Sequence, residues 1–170
     1  MAAEKKIFHG KLLRLYARSV RLPNGYVAAL EVIKHPGAAL VIPFINRDTV
    51  IMLRQLRPVI NAYLYELPAG TRGRAESAVA CARREVIEET GYAAGSLKRL
   101  GMIYPVPGYS TEKIDIFAAG NLRKAVVRPE QDEVLECIPM SRAAVRRMFK
   151  NRRIVDAKTI CALSFIGWLQ

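Results

Sequence analysis

The sequence predicts a mixed α/β sandwich, on three observations. Strand-like runs fill its first third, a strongly patterned helix occupies the middle, and further strands lead into two closing helices. Its 170 residues suit one domain and are too few for two. With 51% apolar and 25% charged residues, the chain is neither disordered nor fibrous in composition. We therefore read 1–170 as a single unit, an N-terminal strand hairpin over 1–35 and the main fold over 36–170.

Lys11 to Arg21 alternates as a strand does, and Leu22-Pro23-Asn24-Gly25 supplies a turn in which Asn-Gly tolerates positive φ. Tyr26 to Ile33 is the return strand, and His35-Pro36-Gly37 interrupts the pattern. Ala38 to Ile45 is almost continuously apolar, as in a strand covered on both faces. Asn46-Arg47-Asp48 turns the chain into a partner strand over Thr49–Gln55, and a short strand over 63–68 runs into Pro68-Ala69-Gly70. A helix is expected from Ala75 to Thr90, stopped by Gly91. Strand patterns recur at 97–104, 113–119 and 133–138. One helix starts after Ser141 as N-cap, and another follows Asp156 and runs to Trp168.

Several function classes are excluded by composition. No apolar run approaches the roughly 18 residues that span a bilayer, so we expect no membrane protein. The opening Met-Ala-Ala-Glu-Lys-Lys lacks the pattern of a signal peptide. Cys81, Cys137 and Cys161 are odd in number and share no short spacing, which argues against disulfides or a zinc site and for a reduced, cytoplasmic protein. His9 and His35 are the only histidines, so no multi-histidine metal site exists, and both are expected to pack or hydrogen-bond. The net charge of +12 admits a nucleic-acid partner, an anionic substrate or a plain solvated surface. Arg142, Arg146, Arg147, Lys150, Arg152 and Arg153 form the densest basic stretch. With Ala144, Val145, Met148 and Phe149 they fit an amphipathic helix, whose basic side is either a solvated face or a polyanion contact.

Chemistry concentrates between Gly70 and Tyr92. On a helix Glu85, Glu88 and Glu89 stand at i, i+3 and i+4 and so share one face. Like charges there repel, and weaken the helix unless a cation compensates. Hard oxygen ligands at this density suit Mg²⁺ or Mn²⁺. Arg84 can pair with Glu88 one turn on. Small Ala78 and Cys81 lie earlier on the same face and leave room for a bulky group, while Val79, Val86 and Ile87 are expected to point to a core. An ordinary Glu-rich solvated helix is the plainer alternative.

Spacing bears on that choice. Gly70, five residues, Glu76, seven residues, Arg84-Glu85-Val86, one residue, Glu88-Glu89, one residue and Gly91 resembles the Nudix box. Only Tyr92 departs, standing where an aliphatic residue is usual. The resemblance implies a Nudix-type α/β/α sandwich with a mixed sheet and flanking helices. It also implies divalent-metal-dependent hydrolysis, with Glu85 and Glu89 as main ligands to Mg²⁺ (or Mn²⁺), Glu88 as helper and the carbonyl of Ala69 as a further ligand. Glu76 and Arg84 would shape the motif.

Flanking segments resemble those of ADP-ribose pyrophosphatases: Arg54-Gln-Leu-Arg57, Glu66-Leu-Pro-Ala-Gly70, and Pro107-Gly-Tyr-Ser-Thr-Glu112, the counterpart of a mobile catalytic loop. By that likeness Arg57, Glu66 and Pro107 contact substrate, and Glu112 is the general base, with Glu133 and Glu88 next in line. Each position also has a plainer reading. Arg57 can pair with Glu66, Pro107-Gly108 is a turn by composition, Glu112 neighbours Lys113, and Glu133 suits an exposed strand. Tyr104 and Tyr109 either stack on a base or pack. The activity implied is cleavage of ADP-ribose, or a related nucleoside diphosphate sugar, to a nucleoside monophosphate and a sugar phosphate. The rivals are a Nudix hydrolase for another nucleoside diphosphate derivative, or a basic module binding nucleic acid or protein. Family likeness also leads us to expect a homodimer, through residues 1–35.

Overall fold

The computed structural model describes residues 4–11, 13–126 and 134–170. Strands β1 (Glu4–His9), β2 (Arg14–Arg21) and β3 (Val27–Ile33) form an antiparallel three-stranded sheet in sequence order. Sequence patterning missed β1 because all six of its residues are exposed and so carry no alternation. The expected turn is present, with Gly25 at φ 84° and its N–H donating to the Leu22 carbonyl.

The second sheet is mixed. Along its main path the order is β10 (Leu135–Ser141), β5 (Thr49–Arg57), β4 (Ala38–Asn46), β9 (Ile114–Lys124) and β8 (Tyr92–Ile103). Short β6 (Ala62–Glu66) pairs with β5, and β7 (Ala69–Thr71) with β4. Strand β4 runs parallel to β9, Ala38 opposite Ile114 through Pro43 opposite Ala119. Residues 38–43 are all buried, because helices cover both faces. On one side Ala39, Val41, Phe117 and Ala119 pack on Cys81, Ala82 and Val86 of α1 (Ala78–Thr90). On the other, Leu40, Ile42 and Ile116 pack on Val145 of α2 (Arg142–Lys150) and Ala162 and Leu163 of α3 (Ala157–Phe165). This is the expected α/β/α sandwich.

Helix boundaries differ from the pattern in instructive ways. Helix α1 begins at Ala78 rather than Ala75, because Ala75 takes φ 61° and Ser77 caps the helix by accepting the N–H of Ala80. Val79 is 48% exposed and does not reach the core; Val86 does. Cys81 leaves no room for a ligand either, since it is itself buried core. Helix α3 stops at Phe165, where Gly167 at φ 68° turns Trp168 back against Phe44 in an edge-to-face contact. Strand β8 starts directly after Gly91 because Tyr92–Ser96 pair with the far end of β9. No helix is long and apolar enough to cross a membrane among the described residues.

Candidate active site

The loop from β7 into α1 and the first face of α1 build the site. Gly70 is required by a close approach: a Cβ there would sit 1.9 Å from Glu85 Oε1. The Cys81 thiol donates to the Gly70 carbonyl at 3.4 Å, and burial pushes that thiol up to about 11, so it stays protonated. Glu89 Oε2 accepts the N–H of Ala69 at 3.0 Å. Loop and helix are thereby locked together, with Glu85 and Glu89 both buried.

Arg84 is the hub. It donates to Glu76 through Nε at 3.0 Å and Nη2 at 3.1 Å, to Glu88 through Nη1 at 2.7 Å, and to the Thr71 carbonyl at 3.1 Å. Its Nη1 also lies 2.6 Å from Glu85 Oε1. The Arg84 hydrogen bonds, then the 2.7 Å bond from the Gly73 N–H, hold Glu76 at a pKa of about 2. Arg84 is raised in turn, chiefly by Glu76. Helix spacing suggested the Arg84–Glu88 pair; the Glu76 clamp adds the loop to it.

Arg57, Ala69, Gly70, Thr71, Arg84, Glu85 and Glu88 line one cleft of about 310 Å³. Arg57 forks onto Glu66, with Nε and Nη2 each at 2.7 Å. Glu66 is 1% exposed and also accepts from Lys158, which is paired with Asp156 at 2.9 Å. Burial works against the Glu66 charge, but the bonds from Arg57 and Lys158 prevail and its pKa is lowered. Glu66 is not among the residues lining the cleft and is joined to it through Arg57. Lys158 and Asp156 escaped sequence reasoning, because Asp156 looked only like an N-cap and Glu66 lies 92 residues from Lys158.

The segment 104–113 lies apart from that lining. Ser110 accepts the N–H of Glu112 at 3.1 Å, and Glu112 Oε1 stands 4.0 Å from His35 Nε2. Ile33 exchanges backbone bonds with Tyr109 and Thr111, so the segment is stitched to the end of β3. Pro107 is exposed at the turn that brings the Ser110 N–H to the Val106 carbonyl, and Tyr104 and Tyr109 are both more than half exposed. Glu133, an alternative base in the sequence reading, lies outside the described residues. Arg54 lies over the ring of Tyr63, 4.0 Å from its centroid. The α2 bases Arg142, Arg146, Arg147 and Lys150 line a separate pocket of about 730 Å³ that shares no residue with the cleft.

The comparisons with known proteins converge with this geometry. The NUDIX domain model matches residues 34–162. This chain belongs to the Nudix family. It is 33% identical over 166 residues to an ADP-ribose pyrophosphatase of Bacillus subtilis, covering 96% of this chain and 90% of that protein. A methanol dehydrogenase activator of Bacillus methanolicus is 31% identical, covering 95% and 89%. A GDP-mannose pyrophosphatase of Escherichia coli O139:H28 is 31% identical, covering 80% of each. A solved structure described as an ADP compounds hydrolase superposes with a TM-score of 0.85 at 20% identity, covering 98% of this chain and 91% of that one. The chain is a Nudix pyrophosphohydrolase related to the ADP-ribose and GDP-mannose enzymes.

The Nudix family typically uses divalent metal ions. Among the described residues no three side chains form a ready-made metal cluster. The donors nonetheless fit in kind and in charge. Glu76, Glu85, Glu88 and Glu89 are all carboxylates, and the first three share the single guanidinium of Arg84. Three carboxylates on one guanidinium leave uncompensated negative charge on hard oxygen atoms at the face of α1, the setting that suits Mg²⁺ or Mn²⁺.

Proposed function

We propose that this Nudix hydrolase cleaves ADP-ribose or a related nucleoside diphosphate sugar to a nucleoside monophosphate and a sugar phosphate. The observation that carries the reading is the cleft that sets the Arg57 guanidinium beside Glu85 and Glu88. Such a pairing of forked cation and metal-type carboxylates matches a diphosphate chelated to a cation. Glu85 and Glu89, helped by Glu88 and the Ala69 carbonyl, would hold Mg²⁺ or Mn²⁺. When bound, the metal neutralises the diphosphate and acidifies water.

The chain's own residues do the rest. Glu66 and Lys158 fix Arg57, which orients the diphosphate and offsets charge as the bridging oxygen leaves. Water oxygen bonds to one phosphorus, the bridging P–O bond breaks, and Glu112 takes the water proton after the 106–113 segment closes. His35, facing Glu112, supports a place for that carboxylate. Exposed Ile7, Phe8, Val27 and Leu30 on the N-terminal sheet support a homodimer through residues 1–35, and the free cysteines suit a reduced, cytoplasmic setting. Residues 1–170 would then act as one functional unit, with 36–170 carrying catalysis.

The deciding experiment is a panel of nucleoside diphosphate sugars in Mg²⁺ and in Mn²⁺, with both products identified. Turnover of ADP-ribose to AMP and ribose 5-phosphate is expected. No turnover of any member sinks the proposal.

A further inference from the structure

A second pocket, of about 650 Å³, abuts the cleft: Thr71 lines both. Three segments contribute its cations. Lys11 comes from the connection between β1 and β2 and Arg14 from the first position of β2, Lys34 and His35 directly follow β3, and Arg72 and Arg74 come from the loop between β7 and α1.

Among the described residues, Lys11, Arg14, Arg72 and Arg74 form no ion pair. Arg72 is fixed through Nε and Nη2 to the backbone carbonyl of Glu76, at 2.8 and 2.5 Å, which leaves its charge uncompensated. Lys34 is paired with Glu4 at 2.5 Å, and His35 faces Glu112. Glu76 is the one carboxylate in the lining, and it is already held by Arg84 and Gly73. Lys11, Arg14, Arg72 and Arg74, gathered without an acid paired to any of them, repel one another, and an anion relieves that repulsion. Guanidinium forks match phosphate oxygens best. One pocket therefore suits a metal-chelated diphosphate, and the adjoining one suits a bare anion.

We propose that the basic pocket is a phosphomonoester subsite, so that the preferred substrates carry a phosphate in addition to their diphosphate. This rests on the hydrolase reading above. A free phosphate ion is the other source of the same chemistry, and the test separates them.

Initial rates for ADP-ribose and ADP-ribose 2′-phosphate in Mg²⁺ would be compared on the wild type, on Arg14→Ala/Arg74→Ala, and on Arg146→Ala/Arg147→Ala, which removes equal charge from α2. We expect kcat/KM to favour the phosphate ester by about tenfold or more on the wild type. The preference should vanish in Arg14→Ala/Arg74→Ala with ADP-ribose turnover unchanged, and persist in the α2 variant and in Arg14→Lys/Arg74→Lys. Equal kcat/KM for the two substrates on the wild type, or equal loss in the α2 variant, overturns the proposal. If neither nucleotide is cleaved, the hydrolase reading fails. Calorimetry in EDTA then decides the subsite: tighter binding of the ester that depends on Arg14 and Arg74 upholds it. Binding of inorganic phosphate there without any preference for the ester overturns it.

Discussion

At Glu85 and Glu89 the structure joins two demands, since both are buried carboxylates, Glu89 holds the loop by accepting the Ala69 N–H, and Glu85 packs against Gly70 so closely that no side chain fits there. Glu85→Gln or Glu89→Gln keeps size and hydrogen-bonding capacity but removes a metal-binding charge. We expect turnover to fall by orders of magnitude and apo thermal stability in EDTA to hold or rise slightly, because like charges are relieved. Near-normal turnover at saturating Mg²⁺ would refute the ligand assignment. Glu112→Gln tests a different role: kcat should drop about 10²–10⁴-fold with metal affinity retained, and recover partly as pH rises. Loss of Mg²⁺ affinity would instead make Glu112 a ligand. Glu76 sets an acid limit. Its folded pKa of about 2 lies below its unfolded value, so its stabilisation is full above the unfolded carboxylate pKa and is lost as pH falls toward 2. Glu76→Gln should flatten that part of a stability–pH curve followed by chemical denaturation.

Helix α3 acts on the cleft from a distance. Asp156 caps it by accepting the Thr159 N–H at 2.9 Å and also holds Lys158, which holds Glu66, which holds Arg57. Thr159 adds a 2.9 Å bond from the Leu67 N–H. Lys158→Met should cost about 1–3 kcal/mol by leaving Glu66 one partner short. It should also raise KM for a diphosphate substrate as Arg57 loosens, while Lys158→Arg restores both; unchanged melting and KM would show the chain of pairs to be idle. The helices and the long strands were legible in the sequence because period and caps are local signals. Strand β7 was hidden because it is three residues of turn-like composition, extended only through pairing with Ala38–Leu40. The Nudix carboxylates were legible from spacing. The Glu66–Lys158 contact and the basic pocket were not, because each joins segments far apart in the chain, and nothing in either segment alone names its partner.

For the molecule as a whole, apolar Ile7, Phe8, Val27 and Leu30 are exposed on a sheet that the main fold leaves partly uncovered. Light scattering at micromolar concentration should return twice the 19.0 kDa chain mass, and Phe8→Asp should return the single mass. A monomer in both would remove the dimer.

The parallel pairing of β4 with β9 bears on how the chain reaches this state. Strand β4 is made early, yet its partner along Ala38–Pro43 is residues 114–119, which are made about 76 residues later (roughly 4–15 s at usual elongation rates). Throughout that interval the most apolar strand of the protein has one open edge. A pairing of that sequence separation slows folding, and the open apolar edge is an aggregation hazard until β9 arrives. A chain ending before Ile114 should collect in inclusion bodies rather than fold around its Nudix helix.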